Sequence, residues 1–280
     1  MSEAAGPFPI IPLSILTFAV QMVVYHGVGL WFEWCDRTGR FPAYKMRAVE
    51  RMSYFELLPR VLFNQFFILL PSMAALEALG LAFVGAPHIG ALHFVLAMIA
   101  MSVGHDVVQY VTHRLVLHRP GLMRKLGHGV HHSTTASRAV SACYMGAPDF
   151  FLEIVLPYLL PLTLVAAGAD VSFHLLVASL GAIGGLYEHS GYDFSARLPQ
   201  AAGLKGRVYD LLRGLSSSRA HAEHHRRGNV SFSDGFGSPG ICDSMFGTRW
   251  DLVGERPAAA RTPAQEAARA ERRRAREAAR

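Results

Sequence analysis

No lysine or arginine occurs in residues 1–36, 61–112 or 139–196, and this segregation limits the possible folds more than any other feature of the chain. All 27 basic residues lie in 37–60 (six), 114–138 (five) and 197–280 (sixteen). The blocks between them are apolar and long enough to cross a bilayer, which takes about 20 residues as a helix. Hydrophobic residues make up 51% of the 280 and charged residues 17%, with a mean hydropathy of +0.24. Such a chain is too apolar for an ordinary soluble domain of this size. The expectation is an all-α integral membrane helical bundle of four to five apolar segments, carrying a cytosolic His-rich helical cap.

The segments follow in order. Residues 1–9 form a short N-terminal tail, 10–253 the membrane-embedded unit, and 254–280 a charged low-complexity tail. The run Ile10 to Trp34 reads as the first span, being too long for a signal-peptide core and lacking a basic leader. Val61 to Val84 reads as the second, kinked at Pro71, and Glu77 within it is expected to pair with neighbouring backbone. Ala91 to Thr112 is the third. Asp149 to Ala167 and Val171 to Tyr187, joined by Gly168-Ala-Asp170, read as a helical hairpin that either crosses twice or enters partway. The excess of basic residues places all three basic regions in the cytoplasm and the 85–90 and 168–170 turns on the other side. The formal charge of +6 is no nucleic-acid signal: residues 255–280 hold eight Arg against four Glu, +4 of that total. Cys35, Cys143 and Cys242 are too few and too scattered for a disulfide framework.

Histidine carries the chemistry. Eight of the fourteen histidines lie in three short stretches: His113 to His118, His128-Gly-Val-His131-His132, and His221-Ala-Glu-His224-His225. A ninth, His189, sits in Tyr187-Glu-His-Ser-Gly between the second and third. Positions i, i+3 and i+4 share a helix face, so each H-x-x-H-H triplet is expected to aim three imidazoles at a common volume. His113 and His118 do not fit this rule, since five residues at about 100° each leave them about 140° apart on a regular helix. Either the helix unwinds before Pro120-Gly121, or the two rings approach from different sides. Gly127 and Gly129, flanking His128, would let backbone pass close to the ligands. Imidazole suits iron, zinc, copper and nickel, and nine ligands exceed what one ion can bind. The candidate metal set is His113, His118, His128, His131, His132, His189, His221, His224 and His225, eight or nine ligands whose count suggests two metals. Asp106, Glu188, Glu223 and Asp243 are candidates to orient them. His26 is read as a satisfied core histidine as readily as a functional one.

The ordered pattern from Asp106-x-x-x-Tyr110-x-x-His113-Arg114 through His118, His128/His131/His132, His189-Ser-Gly-Tyr-Asp-Phe194 and His221-Ala-Glu-His224-His225 to Asp243-Ser-Met-Phe-Gly-Thr248 resembles the fatty acid hydroxylase/sterol desaturase superfamily. The His-Ser-Gly-Tyr-Asp-Phe stretch is most similar to the 4-methylsterol oxidase branch. The H-x4-H spacing of the first pair is instead that of the hydroxylases, and Gly146-Ala-Pro148 stands where those oxidases carry His-Pro. The hydroxylases have a further histidine at the position of Gly185. The resemblance implies a membrane-bound di-iron enzyme that uses dioxygen and two electrons to hydroxylate, desaturate or oxidise a sterol-like or fatty acyl lipid. Two iron ions would be the cofactors. The chain has no His-Pro-Gly-Gly, no ferredoxin-type cysteine spacing and no G-x-G-x-x-G, so electrons are expected from a separate cytoplasmic partner. Two other classes are a metal transporter and a haem-based reductase. The first needs ligands along a transbilayer path; the second needs single histidines paired across helices, whereas adjacent His-His pairs cannot both serve one haem.

Overall fold

A computed structural model describes residues 11–47, 52–233 and 240–254. It is all-α, with no strand among the described residues. Four helices are long and apolar enough to cross a membrane. They are α1 (Leu13–Thr38), α2 (Tyr54–Ala78), α3 (Ala91–Leu117) and α7 (Val171–His189). Between and after them come α4 (Leu122–Lys125), α5 (His128–His132), α6 (147–162), α8 (Gly203–Ser216), α9 (Arg219–Arg227) and α10 (Ile241–Met245). The expectations for 1–9 and for the charged tail from 255 onward fall outside the described residues.

Local chemistry moves two boundaries from those expected. α2 begins seven residues before Val61, because Ser53 and Glu56 form a reciprocal capping box at Tyr54. It stops at Ala78 rather than Val84 because Gly80 turns left-handed (φ 71°) and Leu81 N–H returns to Leu76 O at 2.9 Å. The kink at Pro71 takes the form of a π turn over Gln65–Leu69, which widens the helix just ahead of the residue that cannot donate. The same device recurs at Phe151–Val155, two residues ahead of Pro157. That turn lies in α6, whose 16 residues span about 24 Å, less than the roughly 30 Å of a hydrocarbon core. The hairpin of α6 and α7 thus pairs a short π-bulged helix with a full-length one.

Five antiparallel passes give the bundle two ends. At one end Ala169 N–H reaches Ala86 O at 2.8 Å, and Asp170 accepts from Ile89 N at 3.0 Å, so the 85–90 and 168–170 turns meet. There too Glu77 accepts from Leu13 N (2.9 Å) and Ser14 N (3.1 Å). A carboxylate at unsatisfied helix N–H groups is favourable, and this contact gives Glu77 its expected backbone partner. α1 packs along α7, and α3 along α6. Outward faces are apolar, as Leu92, Val95, Leu96, Ile99 and Val103 show along α3.

The 133–146 segment enters the other end of the bundle, and buried polar groups on the spans take up its backbone. Tyr25 Oη donates to Val140 O (2.9 Å), and Asn64 Nδ2 donates to Cys143 O (2.9 Å) and Met145 O (3.1 Å). Irregular backbone at this depth is stable only when satisfied in this way. The three cysteines are buried and unpaired with one another.

Candidate metal centre

The nine histidines arrive from four elements. α3 ends in a third π turn, His113–Leu117, closed by His118 N–H to His113 O at 2.9 Å. In a π turn five residues close the loop, so His113 and His118 come to the same side. α5 presents His128, His131 and His132; α7 ends on His189; α9 presents His221, His224 and His225. Gly127 fixes where α5 starts: its φ is 89°, and a Cβ there would lie 2.9 Å from Gly146 Cα. That close approach sets His128 against the start of α6. A Cβ on Gly129 would meet open space, so the expected second close approach is absent.

Neither triplet points at one common volume. His113, His118, His128, His132 and His224 form one group, and His131, His189, His221 and His225 another. On α5, His128 and His132 face the first group while His131 faces the second. On α9, His224 faces the first group and His221 and His225 the second. Helical spacing supplies two adjacent stripes, and the two groups are built from both triplets at once.

In the first group Nε2 atoms converge: His128 lies 2.9 Å from His118, 3.0 Å from His132 and 3.2 Å from His113, and His224 lies 3.1 Å from His118 and from His132. In the second, His189 Nε2 lies 3.1 Å from His131 Nε2 and 3.0 Å from His221 Nε2. At four of these rings Nδ1 already holds the proton. His113 Nδ1–H donates to Phe232 O (2.7 Å), His224 to Val230 O (2.7 Å), His189 to Gly185 O (2.8 Å) and His128 to Asp149 Oδ1 (2.9 Å). A neutral imidazole carries one N–H, so His113 and His128 present lone pairs to each other at 3.2 Å, and His224 and His189 aim theirs into the two groups. A cation between them relieves that repulsion, and partners on Nδ1 are the usual means of orienting metal-bound histidine. His131 Nδ1 and both nitrogens of His225 are buried with no hydrogen-bond partner, which is costly unless a ligand is supplied.

Six of the nine rings are held neutral, the form a metal ligand needs. Burial, then neighbouring imidazoles, holds His118 down at about 3 and His132 at about 2. Burial first and adjacent rings second also push His131, His221, His224 and His225 well below the ordinary histidine value. Two groups of neutral nitrogen donors without thiolate fit two transition-metal ions.

The carboxylates expected to orient the histidines sit one step further back. Asp243 accepts from Phe232 N (3.0 Å) and Ser233 N (2.7 Å), and so fixes the stretch of backbone whose Phe232 carbonyl receives His113. Asp106 accepts from Ile241 N (2.9 Å) and Cys242 N (3.0 Å), anchoring α10 to α3. Glu223 pairs with Arg226 at 2.6 Å, and Glu188 is half-buried beside His189. The carboxylates that reach the imidazoles are Asp149 and Glu153 of α6, both inside a stretch expected only as an apolar span. Their signal is nonetheless present in the sequence: two acids four residues apart inside an apolar run, where ionisable groups are expensive.

Basic residues strap this end of the bundle. Lys45 donates to Ser190 O (2.7 Å), and Arg47 to the carbonyls of Thr135 and Ala222. Three histidines outside the two groups have other partners. His26 pairs with Tyr54 and Gln65 (3.2 and 3.0 Å), His93 with Val165 O (3.1 Å) and His174 with Gly168 O (3.0 Å).

A family model for fatty acid hydroxylases matches residues 97–248, more than half of the chain and every one of the nine histidines. The chain belongs to the fatty acid hydroxylase family. Membership implies an oxidoreductase acting on lipids, in a family typically dependent on metal. No curated protein and no solved structure gives a significant match.

Proposed function

We propose that this member of the fatty acid hydroxylase family is a membrane-bound di-iron, dioxygen-dependent oxidase of lipid C–H bonds, acting as a hydroxylase, desaturase or methyl oxidase on a sterol-like or fatty acyl substrate. The observation that carries the reading is the pair of buried histidine groups, five and four, at one end of four membrane-length helices. His113, His118, His128, His132 and His224 would hold one ion, and His131, His189, His221 and His225 the other. Iron in this setting would supply the dioxygen chemistry that side chains cannot perform.

The chain's own contribution is positional. The carbonyls of Phe232, Val230 and Gly185 and the Asp149 carboxylate keep the proton on Nδ1 of their histidines, leaving Nε2 to bind. Seven of the nine rings are buried, which limits the access of bulk water to the groups. The π turn at the end of α3 carries His113 directly off a membrane-length helix, which supports a substrate that approaches from the bilayer. The transporter class would need ligands leading from one end of the bundle to the other, and His93 and His174 at the far end are instead bound to backbone carbonyls.

The basic loops support a cytoplasmic placement of this end, and electrons would come from a separate cytoplasmic donor. The test is lipid profiling, under 18O2, of cells carrying the gene, lacking it, or carrying His131→Ala. The proposal expects a lipid that is 18O-labelled or newly unsaturated only with the unaltered gene. Identical profiles in all three contradict it.

A further inference from the structure

One carboxylate is unexplained by either histidine group. Glu153 lies on the π turn of α6, four residues after Asp149, and is 3% exposed. Its Oε1 stands 3.7 Å from His113 Nε2 and 3.7 Å from His131 Nε2. His113 belongs to the first group and His131 to the second. A single oxygen thus looks onto one nitrogen of each group at equal distance.

The remaining contact of Glu153 is the carboxyl group of Asp149, and among the described residues no lysine or arginine faces it. Its Oε2 lies 3.2 Å from His128 Nδ1, but that N–H is given to Asp149 Oδ1 at 2.9 Å, and Oε2 has no hydrogen-bond donor. Among the described residues its ion-pair partners are imidazoles alone. A buried carboxylate without a cation or donor is costly. The site has the complementary need: two divalent ions among nine neutral imidazoles would leave four positive charges with no anion inside. His128, Asp149 and Glu153 do not make a third site, because His128 cannot turn Nε2 to the first group and also bind an ion through a protonated Nδ1.

We propose that Glu153 is a carboxylate ligand shared by the two histidine groups, with Oε1 between the ion of one and the ion of the other. This rests on the two-metal reading above. Asp149 plays a different part, accepting from His128 Nδ1 and staying on the outer side of that ring. The π turn explains how α6 delivers both, since it widens the helix at Phe151–Val155 and turns Glu153 inward beside Asp149.

The test uses the full chain in mild detergent, stripped of metal and reloaded with zinc, which binds such ligands without redox chemistry. Metal per chain is then measured across a chelator titration. Glu153→Gln keeps the size of the side chain and removes its charge. The chelator concentration that removes metal should fall ten- to hundred-fold for both ions. The metal-free variant should melt no lower than the unaltered protein, because the amide fills the same space as a buried acid that faces no cation. Unchanged retention in Glu153→Gln overturns the proposal, and so does loss confined to one ion, which would make Glu153 a ligand of one group only. A lower melting point of the metal-free variant, with metal loss to match, would make it a structural residue and overturn the proposal as well. Failure of the unaltered protein to hold two zinc ions would instead contradict the two-metal reading itself.

Discussion

His113 and His118 are five residues apart yet belong to one group of imidazoles, because the backbone between them closes as a π turn, with His118 N–H on His113 O at 2.9 Å. On a regular helix the two rings would diverge by about 140°. The local widening of α3 is therefore part of the site.

This relation gives a paired prediction. Inserting one alanine between Leu115 and Val116 should swing His118 out of the first group and lower metal content from two ions toward one. Deleting Val116 leaves an i, i+4 spacing that an ordinary α turn brings to one face, and should retain far more metal. Elemental analysis of both variants checks this. Equal damage from insertion and deletion would contradict it.

The division of the triplets predicts which histidine serves which ion. His132→Ala and His224→Ala should weaken one ion by tenfold or more, and His221→Ala and His225→Ala the other. All four should abolish lipid oxidation. His93→Ala and His174→Ala, at the opposite end, should leave metal content and turnover largely intact. Metal per chain and product formation, measured together, separate the two sets.

Much of this architecture is legible in the sequence, up to a definite limit. The blocks without lysine or arginine mark the spans, and the H-x-x-H-H triplets mark the imidazoles, because both signals are read along one helix. The partition into five and four is not legible, since it depends on how α5 and α9 face each other, and no spacing within one helix reports that. Asp149 and Glu153 are hidden for a related reason: they lie in an apolar run whose hydrophobicity outweighs two acids. His189, ambiguous beside Gly185, finds its place only when the end of α7 meets α5 and α9. There Gly185 contributes its carbonyl to His189 Nδ1.

Acid should destabilise the metal-free protein. His118 and His132 sit at about 3 and about 2 in the folded chain, against about 6.5 unfolded. Between those values the unfolded chain binds more protons, so stability is full above about pH 6.5 and is lost as pH falls toward 3. The melting temperature of metal-free protein in detergent should hold above about pH 6.5 and drop between about pH 6.5 and 4. A flat profile for the metal-free form would contradict the burial of these rings.

Glu77 offers a contrast away from the site. Glu77→Ala removes the acceptor for Leu13 and Ser14 N–H at the start of α1. It should cost about 1–2 kcal/mol of stability, the range for a lost helix-end partner. Thermal melting should shift, and metal content in the folded fraction should not.

The most direct measurement of the central claim is the metal content of the full-length protein, purified in mild detergent, alongside the iron dependence of its lipid oxidation. Two histidine groups predict close to two ions per chain, with iron required for turnover even where zinc fills the same ligands. One ion per chain, or undiminished turnover in strictly zinc-loaded protein, would contradict it.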